Sequence, residues 1–305
     1  MISNRYRFYN KSNQNHSHDG GPRCYFEFEY KDKRIILIGD RHYSLPIAIG
    51  KQYQYVFNQS IDGNHKENKN IMIFVEETPD HVSKETGERG LLDILSSLKK
   101  NSTTQIILSD DRVWDDGLVD SINFLRKVEE IDDQIRIKLK SRRIKMPKVI
   151  LFPKNNEGLD KALKDLASAY EDKISFNQWQ KLFEMQMDKL IDLLKTYEDY
   201  DYNLGKFIAE CYLELYLAYE DFLKLKNDYS VLYNGEDFGE KYLDEICIKM
   251  INHEGSFQSV GRWLAVFSSY VQSFLDATLA CKLWNEIHGN ENTQILMIGA
   301  GSAHV

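Results

Sequence analysis

Arg34-Ile35-Ile36-Leu37-Ile38-Gly39-Asp40-Arg41-His42 is an apolar run that stops at a glycine and then releases three charged or ionisable side chains. Four consecutive branched aliphatics after the polar turn Lys31-Asp32-Lys33 read as a strand buried on both faces. Gly39 lets the backbone turn sharply at its end, so a rigid strand delivers His42. The far end of the chain repeats the device in Gln294-Ile295-Leu296-Met297-Ile298-Gly299-Ala300-Gly301-Ser302-Ala303-His304. Gly39 to His42 and Gly301 to His304 are both GxxH. Strands remote in sequence can be neighbours in one sheet, which would bring the two histidines together.

Upstream of the opening strand, Cys24 to Tyr30 alternates aromatic and acidic residues, the period of a strand with one wet face. The short turn at Lys31 to Lys33 makes a hairpin of the two. Downstream, Leu45 to Phe57 reads as a helix entered at Pro46, and Asn58 to Asn70 as a polar loop. Ile71 to Val75 is a second apolar strand, ending in Glu76-Glu77-Thr78-Pro79-Asp80. A helix over Leu91 to Lys100 leads to a third strand, Thr104 to Leu108, which ends in Ser109-Asp110-Asp111-Arg112. A helix from Leu118 to Leu139 and a short strand at Val149 to Phe152 follow. Strand and helix in alternation with short crossovers predict an α/β fold around a mostly parallel sheet.

From Leu159 the pattern turns helical. Ser175-Phe176-Asn177-Gln178 can form a capping box ahead of apolar residues at helical spacing. Phe207 to Leu225 is apolar on most of its circumference and is expected deep in a helical layer. Phe257 to Ile287 reads as a long helix stopped near Gly289 and feeding the last strand. The organisation predicted is a flexible arm over 1–22, the first part of an α/β core over 23–158, a helical insertion or lid over 159–290, and the last core strand with its GxxH over 291–305.

Composition sets limits on partners and compartment. With 305 residues, 42% hydrophobic and 28% charged, the chain has the make-up of a globular protein with a substantial core. Its net charge of -8 offers no general attraction to nucleic acid or anionic membranes, and the basic segment Arg136 to Lys148 reads as a solvated helix end and loop. Cys24, Cys211, Cys247 and Cys281 are scattered and form no CxxC, which points to reduced thiols rather than a zinc site or disulfides. The first residues lack the apolar core of a signal peptide, and no apolar run approaches membrane-spanning length, so a cytoplasmic protein is expected.

In parallel sheets ligands bind beyond the carboxyl ends of the strands. Here those ends carry His42, Glu76 with Glu77, Asp111 with Arg112, and His304. Two imidazoles and a carboxylate (His42, His304 and Glu76) are the minimum for a divalent metal with open positions. In such a site Glu77 or Asp111 would take a proton from water, and Arg112 would face charge developing on a carbonyl oxygen. A metal-free version uses His42 as the general base. Glu76 is preferred to Glu77 because it directly follows the strand and neighbouring extended residues point opposite ways.

Strand-GxxH first, strand-Glu in the middle, strand-Asp-Arg after it and strand-Gly-Ala-Gly-x-x-His last resemble the TIKI/TraB superfamily. That group comprises TraB/PrgY pheromone-shutdown proteins, TIKI metalloproteases, erythromycin esterases and ChaN-like haem-binding proteins. The resemblance implies an α/β core of two related halves, a site formed by His42, Glu76, Arg112 and His304, and hydrolysis of an amide or ester in a peptide or small molecule, metal-dependent in the TIKI members. A non-catalytic protein keeping the pocket for haem or a peptide is the alternative, since histidine ligation of haem needs no CxxCH. A further pattern, Asp40-Arg41-His42 with Gly63-Asn64-His65, matches the DxH and GNH of metallophosphoesterases but lacks the GDxxD between them.

Overall fold

The structure, a computed structural model, describes residues 22–40, 47–66, 69–75, 94–95, 98, 103–108, 116–141, 148–153, 156–233, 237–289 and 291–301. The chain divides into two compact units, Met1–Asp111 with Thr278–Val305, and Arg112–Ala277.

The first unit is built on a mixed, mostly parallel sheet. Its strands are β1 (Pro22–Tyr30), β2 (Lys33–Asp40), β3 (Asn70–Val75), β4 (Thr104–Leu108) and β5 (Thr293–Gly301). Their order across the sheet is β1-β2-β5-β3-β4. β1 and β2 are antiparallel and joined by a two-residue turn in which Lys31 (φ 48°) and Asp32 (φ 60°) both adopt left-handed backbone, the geometry that suits the twist of a tight hairpin. β2, β5, β3 and β4 are mutually parallel. As the edge strand, β1 leaves Phe28 and Tyr30 exposed beside its acidic residues, so the aromatic side of its alternation is only partly covered.

The apolar runs are buried on both sides, and the two sets of residues separate by strand parity. Ile36, Ile38, Ile71, Ile73 and Val75 form one core with Ile61 of α1 (Ile47–Lys66) and with Leu95 and Leu98. On the other face Ile35, Met72, Phe74, Leu296 and Ile298 pack with Leu279, Leu283 and Ile287, the last turns of a long helix that precedes β5. Removing this much aliphatic surface from water is worth about 2 kcal/mol for each fully buried side chain.

At the amino edge of the sheet, side chains tie the strands together. Lys33, 5% exposed, donates from Nζ to the Thr293 carbonyl at 2.8 Å, while Thr293 Oγ1 donates to the Glu286 carboxylate. The Asn70 amide N–H donates to Gln294 Oε1 at 2.6 Å and its Nδ2 to the Asn292 carbonyl at 2.9 Å.

The second unit is helical. Following α2 (Asp116–Ser141), its elements are α3 (Glu157–Ala167), α4 (Phe176–Tyr197), α5 (Tyr202–Ser230), α6 (Leu243–Glu254) and the first part of α7 (Gln258–Gly289), with 3₁₀ turns at Val231–Tyr233 and Phe238–Glu240. Its centre is aromatic: the Phe176 and Phe222 rings stack at 4.0 Å, Trp179 lies 4.1 Å from Phe267, and Phe183 meets Tyr270 edge-on at 4.8 Å. The capping box expected at Ser175 is present, with Ser175 Oγ accepting from the Gln178 amide and Gln178 Oε1 accepting from the Ser175 amide.

Several expectations are corrected. Asn58 to Lys66 continues α1 rather than forming a loop, because Phe57 and Ile61 carry the helix's apolar stripe across that stretch onto the sheet. Val149 to Phe152 is not a strand; the Phe152 amide donates to the Gly255 carbonyl at 2.6 Å and its ring packs on Phe257 at 4.9 Å. α2 falls within the second, helical unit, Arg112–Ala277. α5 is not buried all round: Leu213 and Leu217 are 53% and 55% exposed. α7, contrary to the expectation that no run approaches membrane-spanning length, is long and apolar enough to cross a bilayer by length and composition; 56% of its most apolar window is buried within the protein. Of the arm expected over 1–22, Pro22 opens β1 and residues 1–21 lie outside the described residues, as does most of the helix expected over Leu91 to Lys100.

Candidate functional site

Four parallel strands present their carboxyl ends along one edge of the sheet. β5 is at the middle of that edge, flanked by β2 and β3. The register is direct: Asp40 pairs with Gly301, Gly299 with both Ile38 and Val75, and Val75 with Leu108. Thus the two strands that lead into GxxH, one near each end of the sequence, are hydrogen-bonded neighbours running the same way. Gly39 and Gly299 are buried in the sheet itself. Glycine at these points leaves no side chain on the strand beside the segments that follow.

The side chains named from sequence begin just past these ends. His42 is two residues beyond Asp40, Glu76 follows Val75, Glu77 is the next residue, Asp111 is three beyond Leu108, and His304 is three beyond Gly301. Arg112 opens the second unit. All six lie outside the described residues, and so do any ligands they would supply to a metal or haem. Among the described residues no cluster of His, Cys, Asp and Glu could hold a metal ion.

The phosphoesterase pattern fares differently. Gly63-Asn64-His65 forms the last turn of α1, and the Asn64 carbonyl accepts from the Lys69 amide immediately before β3 enters the sheet. α1 is 20 residues long, a span of about 30 Å. It carries the chain from the carboxyl end of β2 back to the amino end of β3. Asp40 thus ends a strand at the carboxyl edge and Gly63-Asn64 leads to the amino edge, while His42 of the same pattern lies outside the described residues.

Three of the cysteines are buried thiols. Burial pushes the Cys281 thiol up to about 12 and the Cys247 thiol well above its ordinary value, and Cys211 is buried as well. A cavity of about 500 Å³ in the helical unit lies at the start of α4. Its polar groups largely satisfy one another. Asn177 Nδ2 donates to Glu240 at 3.0 Å, and Glu184 accepts from Gln180 at 2.9 Å and from the Tyr219 hydroxyl at 2.7 Å. Those two bonds hold the Glu184 carboxyl below its ordinary pKa, while burial, then the Glu184 carboxylate, raises the Tyr219 phenol to about 12. The cavity is thus lined by the amides and carboxylates that order the helix start, together with Lys181 and Tyr242.

Sequence reading missed the amino-edge ties of Lys33, Asn70 and Thr293. The signal available was a lysine opening an otherwise apolar strand. These ties brace the sheet opposite the candidate site. No family model, curated protein or solved structure matches the chain.

Proposed function

We propose that the protein is a cytoplasmic hydrolase of amide or ester bonds of the TIKI/TraB kind, acting on a peptide or small molecule at the carboxyl edge of its parallel sheet. The observation that carries this reading is the pairing of Asp40 with Gly301 in adjacent parallel strands. Neighbouring strands are about 4.8 Å apart, and a residue advances the chain by at most about 3.6 Å. His42 follows Asp40 by two residues, His304 follows Gly301 by three and Glu76 follows Val75 directly, tethers short enough to permit a shared site beyond the paired strand ends. The helical residues between β4 and β5 are then an insertion in the α/β core.

His42, His304 and Glu76 are a donor set suited to a divalent cation with open positions. Bound there, the cation would supply Lewis acidity for attack on a carbonyl. With His42 and Glu76 engaged as ligands, Asp111 accepts the proton that water releases. The test is turnover of a peptide and ester panel by the purified chain with and without a chelator. The expected result is chelator-sensitive hydrolysis, reduced on the order of a hundredfold or more in Glu76→Gln. Undiminished turnover in Glu76→Gln would overturn the assignment; a Soret band on haem titration with no turnover on the panel would replace it with a haem-binding role.

A further inference from the structure

The outer face of α5 exposes large apolar side chains among its charged ones. Leu213 is 53% exposed, Leu217 55%, Tyr216 40% and Tyr202 80%, while Ile208, Cys211, Leu215 and Phe222 fill the buried face. Residues 3, 4, 7 and 11 apart lie on one side of a helix, so the outward stripe can be read as positions about Leu213.

Read that way, the stripe is complementary to its own reverse. Seven residues before Leu213 is Lys206 and seven after is Glu220; four before is Ala209 and four after is Leu217. Three before is Glu210 and three after is Tyr216; eleven before is Tyr202 and eleven after is Lys224. A two-fold axis through Leu213 therefore sets lysine against glutamate, alanine against leucine, glutamate against a tyrosine hydroxyl, and lysine against a tyrosine ring, each pair twice. Among the described residues the exposed charges of this face pair within the helix, in contacts of the kind solvent readily exchanges: Lys206 with Glu210 at 3.7 Å, Lys224 with Asp221 at 3.1 Å, and the Tyr216 hydroxyl with the Glu220 carboxylate. A C2 interface requires such self-complementarity of one patch.

We propose that the outer face of α5 is a homodimer interface, two copies crossing antiparallel about Leu213. One helix face is smaller than a standard interface, so the dimer dissociates on the order of micromolar concentration. The proposal is independent of the hydrolase reading.

Sedimentation equilibrium of the full chain from about one to several hundred micromolar tests it. A monomer–dimer equilibrium is expected, abolished by Leu213→Asp. Lys206→Glu should weaken it about tenfold, since two symmetric contacts turn repulsive, and Lys206→Glu with Glu220→Lys should restore it. Thermal melts of the variants, read alongside, should match the wild type because all of these positions are exposed. A chain monomeric throughout the range overturns the proposal. So does a dimer indifferent to Leu213→Asp, or one that the double charge swap fails to restore.

Discussion

Gly255 caps α6 with φ at 65°, and a Cβ there would stand 2.8 Å from the Phe152 carbonyl oxygen. Any side chain at this position suffers both the left-handed backbone and the clash. Gly255→Ala should lower stability by about 1–2 kcal/mol in urea denaturation, and an unchanged midpoint would mean that Phe152 yields freely. The opposite situation holds in the hairpin, where Lys31 and Asp32 occupy left-handed backbone without being glycine. Replacing them by Lys31→Asn and Asp32→Gly should raise stability by about 1 kcal/mol, since those residues favour the turn already formed. A loss of stability would show that the two native side chains contribute contacts of their own. At this scale the sequence made legible the strand ends that precede His42, Glu76 and His304, residues that themselves lie outside the described part of the chain.

Among the elements, those buried on both faces announced themselves most clearly. Ile35 and Leu37 go to one core and Ile36 and Ile38 to the other, which is why that run contains no polar residue. The part of α1 from Asn58 to Lys66 was hidden because only Ile61 needs to be apolar there, and Asn, Gly and Asp are weak helix formers that read as loop. Val149 to Phe152 misled in the other direction: four apolar residues are too few to tell a strand from a segment that packs by one ring. The capping box of α4 was legible because it needs particular side chains at a fixed spacing. Ser175→Ala should cost about 1 kcal/mol in urea denaturation followed by tryptophan fluorescence, since Trp179 lies one turn inside. A change within error would mean that Gln178 alone satisfies the helix start.

For the molecule as a whole, the order β2-β5-β3 is the feature on which the proposed function rests, and it was legible only as an inference from the repeated GxxH. Hydrogen-bond pairing between strands more than 250 residues apart leaves no mark in the composition of either, whereas their common ending in glycine and histidine does. The division into units was less legible. The change from alternating to helical character lies at Arg112 in the structure, well before Leu159, because α2 has the length and amphipathic spacing of a crossover helix while belonging to the helical layer. The most direct test of the account is metal content by mass spectrometry of the purified wild type, His42→Ala and His304→Ala after equilibration with one divalent metal. About one equivalent in the wild type and a loss in both variants, with their thermal melts unchanged, is the predicted result. Equal metal in all three, or none in any, would contradict a site shared by the two histidines.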